Sequence, residues 1–309
     1  MISNNPRIGF IGFGEVAYNF SKRLKEEGVR QIVAYDKAAS EPIHSEIIHH
    51  RTTDANVQLT STLEELLARS ELVISSVWGH VALEVAREAA RYIHPDRVFA
   101  DLNNSAPSAK KWGAEAINAK GAKFADIGLF GVPYRPGQKA LMLVSGNGAE
   151  QLKTIMGKYH MVDVEVVPGE AGRATTIKVL AKIYYLGIQA LYLELAFAAR
   201  RAGIEFGILE SLLVRPTATL PREKEFAFWL IRGGLQAERK SVEIPENIEA
   251  IREWGIEPIM MEASMKRFGL AAQYKLKEYF KGELLPLDEY QTMLEAIEKI
   301  GEERKLGLK

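Results

Sequence analysis

Short apolar runs alternate with amphipathic stretches throughout the first half of the chain. A short apolar run bounded by turn residues predicts a strand that is buried on both faces. We predict such strands at residues 7–13, 31–35, 72–77, 97–102, 122–129, 139–145 and 162–167. Apolar residues at helical spacing predict helices at 15–27, 62–69 and 107–119, one ending near residue 92, and a short one before the last strand. This alternation is typical of the α/β class with a doubly wound parallel sheet.

The second half of the chain shows no strand-like alternation. One long helical pattern without proline runs from residue 169 to about residue 202, and shorter helical segments follow it. Predicted helix stops separate these segments at Pro216, Pro221, Gly233, Gly234, Pro245, Gly255, Pro258 and Pro286. We therefore predict two domains, an α/β domain at residues 1–168 and an all-helical domain at 169–309.

The composition argues against several classes of binding partner. Lys plus Arg (40) balance Asp plus Glu (40), so no net field attracts nucleic acid or an anionic membrane. There are no cysteines, and the six histidines lack metal-ligand spacing, with His49 and His50 predicted in a surface loop. The N-terminus does not resemble a signal peptide, and no apolar stretch approaches the roughly 20 residues of a membrane span. We expect a cytoplasmic protein without a metal site.

Candidate chemistry begins at the first predicted turn. Gly12, Gly14 and Ala17 have the spacing G-x-G-x-x-A between a strand and a helix, the context that gives this pattern its specificity. The first glycine permits a tight turn, and the second lets backbone amides approach a pyrophosphate at the positive end of the helix. The motif predicts a Rossmann-type domain that binds NAD or NADP. Its predicted cofactor-binding residues are Gly12, Phe13, Gly14, Glu15 and Val16.

The second predicted strand ends at an acidic residue. Asp36 lies about 20 residues after the glycine turn, where an acid hydrogen-bonds the ribose hydroxyls in this type of domain. A carboxylate there repels the 2′-phosphate of NADP and favours NAD, whereas the adjacent Lys37 would favour NADP. The alternative is that Asp36 is an ordinary turn residue at the end of a strand.

Two further loops are expected to line the same crevice, because ligands lie beyond the carboxyl ends of the strands. Ser76 and Val77 follow one buried strand, and Asn103 and Asn104 follow the next. Their short polar groups can hydrogen-bond the ribose or the nicotinamide amide. Ser105 is predicted to contact substrate, with the alternative that it caps the helix that begins at residue 107.

These motifs together resemble the β-hydroxyacid dehydrogenase family, which includes 3-hydroxyisobutyrate and 6-phosphogluconate dehydrogenases. Residues 9–17 (GFIGFGEVA) are similar to the opening of the family, and 101–107 (DLNNSAP) to its nicotinamide-side loop. Residues 126–133 (DIGLFGVP), followed by 143–146 (LVSG), resemble its substrate-loop strand. The chain most resembles a subgroup with a C-terminal helical domain of unassigned function, in which 239–246 (RKSVEIPE) has a counterpart. The resemblance implies a homodimer that exchanges C-terminal helices.

The resemblance also implies a catalytic residue. The catalytic lysine of the family lies early on the long helix, and Lys178 stands at that position. Its ammonium group would move a proton to or from the substrate oxygen and stabilise developing alkoxide charge. Lys182 lies one turn later, and repulsion between lysines at i and i+4 lowers the pKa of one of them.

Helical spacing supports a site on this helix but does not require one. Four polar residues share one face: Lys178, Lys182, Tyr185 and Gln189. Beside them runs an apolar stripe that we predict to face the core: Ile177, Leu180, Ala181, Tyr184, Ile188, Leu191 and Leu195. A polar stripe beside a core stripe suits a helix that floors a cleft between the domains. It also suits a half-exposed amphipathic helix without a site.

Two departures from the family pattern bear on the substrate. Members with a simple hydroxy acid substrate carry Asn at the position of Lys182, and Ser-Gly-Gly where this chain has Phe130, Gly131 and Val132. Lys182 can instead bind a carboxylate or a phosphate, and Phe130 makes the pocket narrower or more apolar. The predicted substrate-binding residues are Asn104, Ser105, Phe130, Gly131, Lys182 and Tyr185.

We therefore expect an NAD(P)-dependent oxidoreductase that acts on a small β-hydroxy acid or a related carbonyl, with Lys178 as general acid or base. One alternative is an imine reductase, which uses the same architecture with a different residue at the lysine position. Another is a cofactor-binding sensor without turnover. The missing family Ser and Asn suggest such a sensor, and Lys178 argues against it.

Overall fold

The chain divides into two compact units, residues 1–183 and 184–309. The structure is a computed structural model that describes residues 5–131, 140–160 and 162–304, without the side chains of residues 206 and 210. The division falls inside the long helix that follows the last strand. The predicted domain boundary at residue 168 lies before this helix, just after the last strand, and it stays a prediction.

A single sheet organises the first unit. Within the described residues its strands are β1 (Ile8–Ile11), β2 (Ile32–Tyr35), β3 (Gln58–Leu59), β4 (Leu72–Ser75), β5 (Val98–Asp101), β6 (Lys123–Phe130), β7 (Ala140–Ser145) and β8 (Val162–Val166). Their spatial order is β3-β2-β1-β4-β5-β6-β7-β8. The first six of these follow the order of a dinucleotide-binding domain, with the switch point between β1 and β4. The predicted fold class is confirmed.

One strand pair departs from the predicted parallel arrangement. β6 and β7 are antiparallel, whereas the other neighbouring pairs are parallel. The connection between them, residues 131–139, is shorter than the dozen or so residues that a parallel crossover needs. The connection length therefore dictates the direction of β7.

Helices alternate with the strands along the chain and flank the sheet. Those of the first unit are α1 (Glu15–Glu26), α2 (Pro42–Asp54), α3 (Leu63–Arg69), α4 (Ala82–Ala89), α5 (Pro107–Asn118) and α6 (Ala149–Met156). The long helix α7 (Arg173–Arg201) begins in the first unit and ends in the second. α3 begins with a side-chain cap, because Thr62 Oγ1 accepts from Glu65 N at 3.1 Å, and Glu65 Oε2 accepts from Ser61 N at 3.0 Å.

The segment that holds His49 and His50 is helical, and the prediction of a surface loop there is wrong. α2 begins at Pro42, whose fixed φ and missing N–H suit the first position of a helix. Its apolar residues are scattered around the helix, because Ile43 is exposed whereas Ile48 is buried. The sequence therefore shows no apolar stripe from which a helical period could be read.

Aromatic residues fill the core on both faces of the sheet. Phe10 of β1 makes edge-to-face contacts with Phe13 and Phe20, at ring centroid distances of 6.4 and 6.3 Å. On the opposite face, Phe99 and Phe124 stack at 5.7 Å. All five side chains are fully buried. Alternate residues of each strand thus supply two separate cores, as expected of a sheet covered on both sides.

The described part of the second unit is helical, as predicted. It contains α8 (Phe206–Leu213), α9 (Glu225–Leu235), α10 (Ala237–Glu253), α11 (Ile259–Ala272), α12 (Leu276–Tyr279) and α13 (Tyr290–Glu303). The predicted stop at Pro245 is wrong, because this residue lies inside α10, whereas α9 ends at Leu235, directly after the predicted stop at Gly233 and Gly234. At Gly234 a Cβ would lie 2.7 Å from Met293 Sδ, so α9 and α13 pack closely there. Burial of Ile244 and Ile248 keeps α10 helical around its proline.

α7 is apolar over a longer stretch than predicted. Among the described residues, this 29-residue helix has the length and composition that could cross a membrane. Gln189 and Glu194 interrupt the run, which is why no continuous apolar stretch is visible in the sequence. The first turn of α7 is tied to the sheet by buried hydrogen bonds to Asp126, so this helix starts as part of a folded unit.

Candidate functional site

The glycine turn after β1 has the geometry that a dinucleotide needs. Gly12 has a φ of +82°, and a Cβ there would lie 2.5 Å from the carbonyl oxygen of Ser76. Gly14 is exposed, and a Cβ there would enter open space. Gly14 precedes the first residue of α1 without any side-chain cap, so the N–H groups of Glu15 and Val16 have no partner within the helix. These exposed N–H groups can receive phosphate oxygens, so the cradle fits the predicted cofactor.

Asp36 holds the glycine turn through the backbone. Its Oδ2 accepts from Phe13 N at 2.7 Å, and its Oδ1 accepts from Ala38 N at 2.9 Å. The Phe13 side chain is fully buried in the core, so this residue shapes the turn rather than presenting its side chain to a ligand. Asp36 is half-buried at the carboxyl end of β2, and Lys37 beside it is exposed. Asp36 is therefore a turn residue at the end of β2, and its contact with a ribose stays a prediction.

The loops after β4 and β5 are joined to each other. Asn103 is buried, its Oδ1 accepts from Val77 N at 2.6 Å, and its Nδ2 donates to Ser75 Oγ at 2.9 Å. Both polar atoms of the Asn103 side chain thus form hydrogen bonds within the protein. A Cβ at Gly79 would lie 2.0 Å from the carbonyl oxygen of Asn104, which shows how closely the two loops approach. The predicted cofactor residue Ser76 lies half-buried at this junction.

Asn104 and Ser105 are placed differently from Asn103. The Asn104 side chain is exposed. The helix α5 has Ala106 at its N-cap position and no side-chain cap, so the alternative of a helix cap for Ser105 is not realised. Ser105 Oγ is buried and has no hydrogen-bond partner among the described residues. A buried hydroxyl without a partner is costly, and a bound ligand would supply one.

Lys178 lies one turn into α7, where the helix packs closely on β6. A Cβ at Gly128 of β6 would lie 2.9 Å from the Ala174 carbonyl oxygen and 3.6 Å from Lys178 Cβ. Burial, together with the positive charges of Lys182 and Lys110, lowers the pKa of Lys178 to about 8, against the opposing effect of Asp126. A lysine with this pKa can gain or lose a proton near neutral pH.

The other predicted substrate residues are placed as follows. Lys182 Nζ donates to Asn104 Oδ1 at 2.7 Å, which brings two of them together. Phe130 ends β6, and Gly131 follows it with a φ of +82°. Val132 lies outside the described residues. Tyr185 is exposed and belongs to the second unit. Among the described residues, no group of three His, Asp or Glu side chains could hold a metal ion.

The apolar stripe of α7 is only partly covered in the single chain. Leu180, Tyr184 and Leu191 are exposed, by 60%, 61% and 48%, whereas the other members are half-buried: Ile177, Ala181, Ile188 and Leu195. The buried residues of the helix start are small, Ala174 and Thr175. Periodicity predicts which residues share a face, whereas the covering of that face depends on what packs against it.

A buried charge cluster that sequence analysis missed lies beside Lys178. Lys110 of α5 is fully buried, and its Nζ lies 2.8 Å from Asp101 Oδ1 and 3.6 Å from Asp126 Oδ1. Asp101 ends the apolar strand β5, and Asp126 lies among buried apolar residues of β6. This placement is the feature of the sequence that could have revealed the cluster, because an acid within a buried strand needs a cation or several N–H donors.

Asp126 ties the start of α7 to the sheet. Its Oδ2 accepts from Gly172 N at 2.9 Å, Thr175 N at 3.0 Å and Ser145 Oγ at 3.2 Å. Its Oδ1 accepts from Thr175 Oγ1 at 2.5 Å. A carboxylate thus receives the free N–H groups of a helix start, where its negative charge is stabilised. The helix that carries Lys178 is fixed one turn before that residue.

Comparisons with known proteins agree with this geometry. A family model described as the NAD binding domain of 6-phosphogluconate dehydrogenase matches residues 7–162, which is half of the chain. An uncharacterized 28.5 kDa protein of Methanothermus fervidus is 28% identical over 265 residues, 85% of this chain and 97% of that protein. The prediction of an NAD(P)-binding Rossmann domain is confirmed.

Solved structures extend the likeness over most of the chain. A conserved protein of unknown function, described as structurally similar to 3-hydroxyacid dehydrogenases, is 30% identical over 88% of this chain and 98% of its own, with a TM-score of 0.57. A reductive aminase from Aspergillus terreus, in complex with NADPH and ethyl-5-oxohexanoate, shares the fold at 18% identity and a TM-score of 0.68, over 87% of this chain and 93% of its own. The chain belongs to the NAD(P)-binding family of 6-phosphogluconate dehydrogenase and 3-hydroxyacid dehydrogenase-like proteins.

Proposed function

We propose that this protein is an oxidoreductase that interconverts a small β-hydroxy acid and its carbonyl form, with Lys178 as general acid and base. The observation that carries the proposal is the environment of Lys178. It is a half-buried lysine with a pKa of about 8, on a helix that is hydrogen-bonded to the unit that carries the dinucleotide cradle. Strongly perturbed lysines at such sites are candidates for proton transfer.

The residues divide the work as follows. A dinucleotide held at the turn of Gly12 and Gly14 would supply the hydride chemistry of the nicotinamide. Lys178 takes the hydroxyl proton during oxidation and returns it during reduction, while its positive charge stabilises the alkoxide. Lys182 and Asn104, joined at 2.7 Å, present an ammonium and an amide to the acid group of the substrate. Ser105 Oγ supplies a further hydrogen bond. An ammonium in place of the family Asn favours a substrate with a carboxylate or phosphate.

The pKa of Lys178 predicts opposite pH profiles for the two directions. Oxidation needs the neutral amine, whose fraction grows as pH rises, so kcat for oxidation is expected to increase through about pH 8 and then level off. Reduction needs the ammonium, so its kcat is expected to fall through the same pH. Steady-state rates from pH 6 to 10 in both directions measure this. Profiles that change in the same direction would contradict the assignment.

Asp36 is proposed to set a preference for NAD over NADP. Replacement of Asp36 with asparagine removes the charge that repels the 2′-phosphate, and it also removes one of the two acceptors for Phe13 N and Ala38 N. The turn is altered for both cofactors, so the ratio of NADPH affinity to NADH affinity is the informative quantity, and it is expected to rise about tenfold, or about 1.4 kcal/mol. The exposed Lys37 provides the matched control, because K37M is expected to weaken NADPH without changing NADH. Fluorescence titration measures both affinities. Equal affinities for the two cofactors in the native protein would refute the preference.

A screen of hydroxy acids with NAD and NADP, followed by absorbance at the nicotinamide band, tests the proposed function. Imine reduction is the second candidate, because the fold is shared with a reductive aminase that binds NADPH. Cyclic imines are therefore screened in parallel, and their turnover without any hydroxy acid activity would favour that candidate. Tight NADH binding without turnover of either class would favour the sensor alternative.

The exposed apolar side chains of α7 support the homodimer that the family resemblance implies. They include Val179, Leu180, Ile183, Leu186, Leu191, Leu193 and Phe197. A single helix that exposes so many apolar groups marks an interaction surface. A second copy of this chain is the proposed cover, and a monomeric sedimentation profile at micromolar concentration would argue against it.

A further inference from the structure

The proposed mechanism leaves one buried ionisable group unused. Lys110 is fully buried on α5, and its Nζ donates to the main-chain carbonyl of Asp101 at 2.9 Å and to Asp101 Oδ1 at 2.8 Å. Its other carboxylate neighbour is Asp126, at 3.6 Å. A buried ammonium is retained only where anions and acceptors compensate its lost hydration. One cation here lies between two buried carboxylates that belong to different strands.

Asp101 connects this cluster by hydrogen bonds to the loops after β4 and β5, here called the cofactor loops. Asp101 Oδ1 also accepts from Asn103 N at 2.9 Å, and Asn103 Oδ1 accepts from Val77 N at 2.6 Å. Lys110 is therefore connected by buried hydrogen bonds to the loop after β5 and, through Asn103, to the loop after β4. These loops line the predicted crevice.

The Asp126 side leads to the helix of the proposed catalytic lysine. Asp126 receives the N–H groups of Gly172 and Thr175 and the Thr175 hydroxyl. Lys178 follows Thr175 by three residues, so it lies on the same face about one turn later. The ammonium of Lys110 is thus the link between two hydrogen-bonded groups, one in the cofactor loops and one at the start of α7.

We propose that Lys110 is a positioning residue, which fixes the start of α7 relative to the cofactor loops and thereby places Lys178. This inference rests on the proposed role of Lys178. The charged groups that act on Lys178 are Lys182 on its own helix, Lys110 from α5 and Asp126 from β6. Removal of the Lys110 charge leaves Asp126 as the dominant neighbour from the sheet, which favours the protonated form of Lys178.

Competitive acetylation of Lys178, quantified by mass spectrometry from pH 6 to 11, tests the proposal without any substrate. The native protein is expected to show a midpoint near pH 8. In K110M the midpoint is expected to rise by about one pH unit, which corresponds to roughly tenfold slower labelling at pH 7. K110R keeps the positive charge and is expected to restore much of the native profile. The exposed Lys120, which follows the end of α5, provides the control variant K120M.

A native midpoint in folded K110M would overturn the proposal. If circular dichroism shows K110M to be unfolded, K110Q is measured instead, because its amide group can still donate a hydrogen bond towards Asp101 while it lacks the positive charge. Its midpoint is expected to move in the same direction, and an unchanged midpoint would overturn the proposal equally. Failure of the substrate screen leaves this labelling experiment unaffected, so the two hypotheses are separable.

Discussion

Replacement of Lys178 with methionine is expected to lower kcat by a factor of about 10² to 10⁴, the usual contribution of a positioned general acid or base. Methionine retains much of the apolar chain of lysine and removes only the group that moves the proton. The dinucleotide cradle at Gly12 and Gly14 does not involve this side chain. NADH affinity, measured by fluorescence titration, is therefore expected to stay close to that of the native protein while turnover falls.

The matched control lies one turn further along the same helix. Lys182 is proposed to hold the acid group of the substrate, so K182M is expected to raise KM more than it lowers kcat. The pH dependence is expected to disappear in K178M and to persist in K182M, shifted to higher pH because the charge of Lys182 helps to lower the pKa of Lys178. A K178M variant that keeps both the native turnover and its pH profile would remove Lys178 from the mechanism.

Replacement of Asp126 with alanine is expected to lower the free energy of unfolding by about 3 to 5 kcal/mol, the cost of breaking a buried ion pair by removing one partner. The variant leaves Lys110 with a single buried carboxylate, and it deprives Gly172, Thr175 and Ser145 of their acceptor. The fully buried site gives water little access to replace these bonds. Urea unfolding followed by circular dichroism measures the change.

A second acidic residue of the same sheet serves as the control. Glu165 of β8 is exposed, so E165Q is expected to change the free energy of unfolding by less than about 0.5 kcal/mol. If D126A and E165Q had the same free energy of unfolding, the buried cluster would not stabilise the fold. The start of α7 would then be held by its other contacts.

The glycine turn and the resemblance built on it could be predicted because their determinants are local. Gly12, Gly14 and the start of α1 lie within a few residues of each other, and only glycine accepts the φ of +82° found at Gly12. The acid at the end of β2 follows at a fixed spacing from the same motif. Its backbone bond to Phe13 was not predictable, because that bond depends on how the turn and the second strand meet in space.

The Lys110 cluster could not be predicted, because its determinants are not local. Asp101, Lys110, Asp126 and Thr175 come from four separate elements, two strands and two helices. In the sequence Lys110 is one of two adjacent lysines on an ordinary helix, and nothing local distinguishes it from Lys111. Only the packing of α5 on the sheet buries one of the two and leaves the other exposed.

Sequence by itself determined the alternation of strands and helices, the dinucleotide turn and the position of Lys178 on its helix. The hydrophobic period, the glycine spacing and the family motif each depend on residues that are close together in the chain. Tertiary structure alone decided the antiparallel direction of β7, the helical state of α2 and the exposure of the α7 stripe. It also decided the environment that lowers the pKa of Lys178 to about 8. Burial and charge proximity are properties of residues brought together from distant parts of the chain, so they exist only once the sheet and the helix are packed.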